Sequence, residues 1–130
     1  MFVLDTNTLI HALKGRRRVR DRIIGVTPEQ LGIPALVVYE LEYGALRAHN
    51  PAKRRRDLAQ ILAVVEVLPL DNDAAEWSAR IRYDLERKGE TIGPLDLLIA
   101  GIAMARRGTL VTHNVEEFGR IPNLVLEDWY

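Results

Sequence analysis

Short apolar runs alternate along this chain with longer stretches whose apolar positions recur at helical spacing, the pattern of an α/β protein with a mostly parallel sheet. Strands are predicted at Phe2–Asp5, Leu31–Ile33, Val65–Leu70, Thr109–Thr112 and Leu124–Glu127. Between them, helix boundaries carry chemical punctuation. Asn50-Pro51 reads as a cap followed by proline at the first helical position, opening a helix toward Ala63. Asp71 or Asn72 caps a second helix that runs through Lys88 and stops at Gly89, and a third begins at Pro94 with Gly108 as its expected end. That third helix is apolar nearly all the way round, so it is expected to be central and buried. No repeat, low-complexity tract or linker interrupts the 130 residues, and the chain reads as one domain over 1–130.

Four acids break the apolar pattern. Asp5 ends the first predicted strand, where open parallel sheets bind ligands. Glu40 interrupts Val37-Val38-Tyr39-Glu40-Leu41, Asp96 lies in the most hydrophobic segment of the chain, and Glu117 follows the strand-like Thr109–Thr112 and its loop. A buried charge is expensive unless it is paired or bound to metal. Each acid has an ordinary reading when taken alone: Asp5 as a helix cap, Glu40 as an arginine partner, Asp96 as a helix-start residue. Together they point to a divalent cation as the simplest neutraliser. Glu42 competes with Glu40, but two residues along a helix turn it about 200° away, and Val37, Leu41 and Ala45 favour Glu40 as the inward one. For Asp96 in the first helical turn, the helix dipole favours the anion and burial opposes it.

An all-oxygen donor set suits Mg²⁺ or Mn²⁺. Zinc is disfavoured, because the chain has no cysteine and His11, His49 and His113 show no ligand spacing. Such a metal lowers the pKa of bound water and stabilises phosphate charge, which is the chemistry of phosphodiester hydrolysis. Thr6, Asn7, Thr112 and Asn114 are candidates to orient water or phosphate, with capping and turn chemistry as the alternative for each. Of the histidines only His113 is expected near the site, as a loop residue.

Composition narrows the setting. No apolar run reaches the roughly 18 residues of a membrane span, and the missing cysteines permit a reducing compartment. The initiating methionine stands one residue before the first strand, leaving no room for a signal peptide, so an intracellular protein is expected. Eighteen basic residues balance eighteen acidic ones, yet Arg16, Arg17, Arg18, Arg20 and Arg22 form one basic cluster and Lys53, Arg54, Arg55 and Arg56 another. Either is a phosphate-binding surface or a solvated helix face. Trp129 and Tyr130 are expected to pack the last strand, and an aromatic content of 6% argues against base-stacking platforms.

The segments VLDTNTLI, YELEYGA, IGPLDLLIAGIA, LVTHNVEEFGRIPNL and LEDWY, in that order across essentially the whole chain, resemble the PIN-domain ribonucleases and, within them, the VapC toxins of bacterial toxin–antitoxin pairs. The resemblance implies a PIN-like three-layer α/β/α domain around a mostly parallel sheet of about five strands. It also implies a cytoplasmic bacterial endoribonuclease dependent on Mg²⁺ or Mn²⁺ that cuts structured RNA and is restrained by a VapB-type antitoxin. Asp5, Glu40 and Asp96 match the family's acids, with Asp5 and Asp96 as metal ligands. Many members carry aspartate where Asn114 stands here, so the fourth role passes to Glu117 with Asn114 assisting. DTNT near the start and EDW at the end are similar to enteric-type toxins that cleave initiator tRNA in the anticodon loop. A homodimer is implied too, for which Leu36–Leu46 or the helix around Trp77 offers apolar residues. Arg16, Arg17, Arg18, Arg54 and Arg55 become RNA-binding candidates. A metal-dependent DNA nuclease and a non-catalytic regulatory nucleic-acid-binding subunit remain the alternatives.

Overall fold

The computed structural model describes residues 1–130. In chain order the elements are β1 (Phe2–Leu4), α1 (Thr6–Leu13), α2 (Arg17–Ile24), β2 (Leu31–Pro34), α3 (Ala35–Leu46), α4 (Pro51–Leu62), β3 (Glu66–Leu68), α5 (Asn72–Lys88), α6 (Pro94–Ala105), β4 (Thr109–Val111), α7 (Val115–Phe118) and β5 (Val125–Glu127). Five strands form one sheet in the order β3-β2-β1-β4-β5. Every pairing is parallel, with Phe2 opposite both Leu31 and Thr109. Helices flank the sheet in the α/β/α arrangement that the family resemblance implies. The apolar residues Val3, Ile33, Val37, Leu68, Ile99, Ile102, Leu110 and Val111 are completely buried between the layers.

The strand order has a consequence for function. The chain winds outward from β1 through β2 to β3, then returns to place β4 on the other side of β1. The β1/β4 boundary is therefore the topological switch point, where a crevice opens beyond the carboxyl ends of the strands.

Helix caps agree with their sequence signals. Asn50 accepts from the Lys53 backbone N–H at 3.2 Å, and Asp71 accepts from that of Ala74 at 2.9 Å. Gly89 closes α5 in the left-handed conformation at φ 68°. Strands β1, β2, β4 and β5 each differ from expectation by one residue at one end, and β3 and α6 differ further. β3 begins one residue later than predicted because the Val65 N–H is still bonded to Ile61 at the exit of α4, and it ends before Pro69, which has no N–H to offer a ladder. Helix α6 ends at Ala105 rather than near Gly108: Arg107 takes the left-handed position at φ 52°, and the N–H groups of Arg107 and Gly108 return to Met104 and Ala103. Glycine at 108 serves contact instead, since a Cβ there would sit 2.7 Å from Val3 Cγ2.

Candidate active site

Asp5 follows β1 directly and has two tasks. One carboxylate oxygen caps α1 by accepting from the Thr8 N–H at 2.9 Å, and the backbone N–H of Asp5 donates to Val111 at the end of β4. Only 6% of the residue is exposed. The neighbouring Thr8 hydroxyl donates to the Val111 carbonyl at 3.1 Å, which fastens the start of α1 to β4. The helix-cap and functional readings of Asp5 are thus compatible, because the cap uses one oxygen and leaves the other.

Helix α3 brings Glu40 from the far side of β1. Its carboxylate accepts from the Thr6 hydroxyl at 2.6 Å, so the side chain is aimed at the start of α1. Val37, Leu41 and Ala45 on the same helix face the core. Glu42 turns elsewhere and lies 3.5 Å from the Arg55 guanidinium.

Asp96 sits in the first turn of α6, two residues after Pro94. Burial, followed by the charges of Asp5, Glu40 and Glu117, pushes its carboxyl up to about 6. Burial and like charge prevail over the helix dipole, so Asp96 is the point where all four acids are felt together. None of the four has a cationic side chain within salt-bridge distance.

The loop after β4 supplies the fourth acid. Fully buried Thr112 accepts the Asn114 N–H with its hydroxyl at 3.0 Å, which turns the chain into α7. The Asn114 amide then donates to Glu117 at 2.8 Å. Glu117 and Asn114 form one unit, whereas Thr112 spends its hydroxyl on the turn. Asn7 is exposed, and its carbonyl is 3.1 Å from His11 Nδ1.

The donor set of this crevice fits a hard divalent cation: four carboxylates, an amide oxygen, no thiolate and uncompensated negative charge. No three acidic or histidine side chains are gathered into a coordination cage.

The rim of the crevice holds an aromatic stack. Tyr130 does not simply pack the last strand. Its ring stacks on His113 at 4.2 Å between centroids with 6° between planes, and on His11 at 4.2 Å with 34°. His11, which has no ligand spacing in sequence, is therefore at the rim together with His113. The signal was distributed over three distant positions, so no local motif carried it. Trp129 does pack as expected, edge-on to Phe2 at 5.1 Å and beneath Arg22.

The two basic clusters are only partly free. Arg17 and Arg20 approach Asp21, Arg22 pairs with Glu127, and Arg55 with Glu42. Lys53 pairs with Asp57. Arg16, Arg18, Arg54 and Arg56 have no such partner, and Arg54 lines a groove beside Glu40 together with Lys14.

A five-stranded parallel sheet between helices, with acids near its switch point, defines an α/β/α domain with an acidic crevice. The PIN domain profile matches residues 2–124, and the chain belongs to the PIN-domain family. Within it, the chain is 37% identical over 129 residues to the tRNA(fMet)-specific endonuclease VapC of Salmonella typhimurium, covering 98% of this chain and 97% of that one. It superposes on the DNA-bound VapBC of Salmonella typhimurium with a TM-score of 0.92 at 38% identity, covering 99% of this chain and 98% of the other. The promoter-DNA-bound VapBC2 of Rickettsia felis gives 0.90 at 32% identity, with the same coverage. Its place in the family is thus among the VapC toxin ribonucleases of the VapBC systems. No helix is long and apolar enough to cross a membrane.

Proposed function

We propose that this chain is a divalent-metal-dependent endoribonuclease acting on structured RNA, with Asp5, Glu40, Asp96 and Glu117 as its acidic set. The observation that carries the reading is Asp96, half-buried among three other carboxylates without a cationic partner. Asp5 and Asp96 would hold Mg²⁺ or Mn²⁺ directly, while Glu40 and Glu117 complete the negative field. A bound metal supplies an activated water and stabilises charge on the phosphate. Thr6 fixes Glu40, and Asn114 fixes Glu117, so both acids are pre-oriented before any substrate arrives.

Initiator tRNA is the proposed substrate, on the strength of the Salmonella relative and its name. Arg54 beside Glu40, and Arg16 and Arg18 at the start of α2, carry no ion pair and would meet its phosphates. The neighbouring structures are VapBC complexes, and we infer a VapB-type antitoxin as the partner here. Helix α3 exposes Tyr39, Tyr43 and Leu46 along one stripe, which suits a homodimer contact.

The test is cleavage of total bacterial RNA with Mg²⁺ or Mn²⁺, comparing wild type, Asp5→Asn and an EDTA control, with cut ends mapped by sequencing. Asparagine keeps an oxygen to cap Thr8, so the fold is expected to survive. Expected is a discrete cut that EDTA abolishes and Asp5→Asn reduces by at least about a hundredfold. Equal cutting by the folded variant would remove Asp5 from the mechanism, and cutting confined to DNA would replace the substrate class.

A further inference from the structure

The rim stack is assembled as a rigid aromatic shelf. Tyr130 lies between His11 and His113, and its hydroxyl is 3.2 Å from His11 Nδ1. On the outer side His113 Nδ1 is held 2.9 Å from the Asp128 carboxylate. Burial raises Asp128, but the Tyr130 backbone N–H, His113 and nearby Arg18 together hold its carboxyl below the usual range, so it stays an anion facing the imidazole. The His113 ring is thus fixed at its edge by Asp128 and on one face by Tyr130, yet 63% of the side chain is exposed. No aromatic ring other than Tyr130 stacks on it.

The shelf adjoins the acids. His113 lies between Thr112 and Asn114 in the loop that leads to Glu117. The Asp5 backbone N–H donates to Val111, two residues before His113, and burial first, then the charges of Asp5 and Asp128, keep the Tyr130 hydroxyl above its usual range. Two rings that could pack anywhere are instead parallel within 6° next to the crevice. An exposed planar ring that loses no freedom on binding is what a base needs for stacking.

We propose that the face of His113 away from Tyr130 seats a nucleobase of the RNA next to the scissile phosphate, with Tyr130 and Asp128 as positioning residues that hold the imidazole. The proposal rests on the ribonuclease reading above. It is compatible with the low aromatic content, because a single base needs only a single platform.

The experiment measures steady-state cleavage of the RNA that wild type cuts, for wild type, His113→Ala, His113→Phe and Asp128→Asn. Stacking of one base predicts about a tenfold rise in KM for His113→Ala with kcat changed less than about twofold, and recovery in His113→Phe. Asp128→Asn leaves the ring in place but loosens it, so an intermediate KM is expected. A 2-aminopurine placed beside the cut in RNA bound to the inactive Asp5→Asn protein should be quenched, and the quench should be lost when His113→Ala is added. Unchanged KM and quenching in His113→Ala overturn the proposal, as does a variant that loses only antitoxin affinity. An inactive wild type would instead indict the ribonuclease reading, which separates the two failures.

Discussion

From Ile99 to Ala103, helix α6 is buried on every side and packs against α5 so closely that Gly101 has no room for a side chain. Its first turn is the opposite case, since Asp96 is half-buried among like charges and has no cationic partner. One helix therefore contains a tightly packed segment and a crowded, unpaired charge about a turn and a half apart. The middle of α6 is optimised for the fold alone. The first turn carries an electrostatic penalty that the fold does not need and that a cation would relieve, which is the pattern expected of a site maintained for chemistry.

The packed half should respond to volume and be indifferent to metal. A Cβ on Gly101 would collide with the Ser78 hydroxyl, which donates to Ala74 at 2.8 Å, and would lie 2.8 Å from the Ala74 carbonyl oxygen itself. Gly101→Ala is therefore expected to lower stability by about 1–3 kcal/mol in urea unfolding, by overpacking. The loss should be the same with EDTA as with magnesium. A neutral substitution would mean that α5 and α6 separate easily and that the contrast between the two halves is weaker than the geometry implies.

The charged half should respond to pH and metal. Asp96 is raised in the folded protein from 3.8 to about 6, so the stability it contributes is fully present below about pH 4 and is lost as pH rises through about 6. The full shift must be discounted because the carboxyl is only half-buried and solvent screens it, which leaves about 1 kcal/mol. In EDTA, Asp96→Asn should therefore gain about 1 kcal/mol relative to wild type between pH 4.5 and pH 7.5, read from urea midpoints. Saturating magnesium should close that gap at pH 7.5 by stabilising wild type alone. Parallel pH profiles for the two proteins would show that the crowding of acids around Asp96 carries no free energy.

Much of this contrast is legible in the sequence. The strands appear because buried parallel strands are short apolar runs, and α6 stands out because it is apolar all round and starts at a proline. Asp5, Glu40 and Asp96 are visible because a charge in an apolar run is anomalous wherever it occurs. Two features are hidden. The outcome of the dipole–burial contest at Asp96 depends on where Glu40 and Glu117 come to rest, and that is set by tertiary packing. The His11–Tyr130–His113 stack joins residues separated by up to 119 positions in sequence, each of which looks ordinary in its own neighbourhood.

The smallest predicted effect sharpens the boundary of the charged region. Glu40 and Glu42 share α3, and both are partly buried, so burial does not separate them. Their partners do: Glu40 accepts from Thr6 and raises Asp96, whereas Glu42 faces exposed Arg55 at 3.5 Å and has no part in the shift at Asp96. A solvent-screened pair of this kind contributes less than about 0.5 kcal/mol. Glu42→Gln should accordingly change urea stability by no more than that and leave kcat for RNA cleavage within about twofold. A tenfold fall in kcat would mean that the outer face of α3 communicates with the acids. The site would then be defined by the total negative charge of the helix rather than by the carboxylates within reach of Asp96.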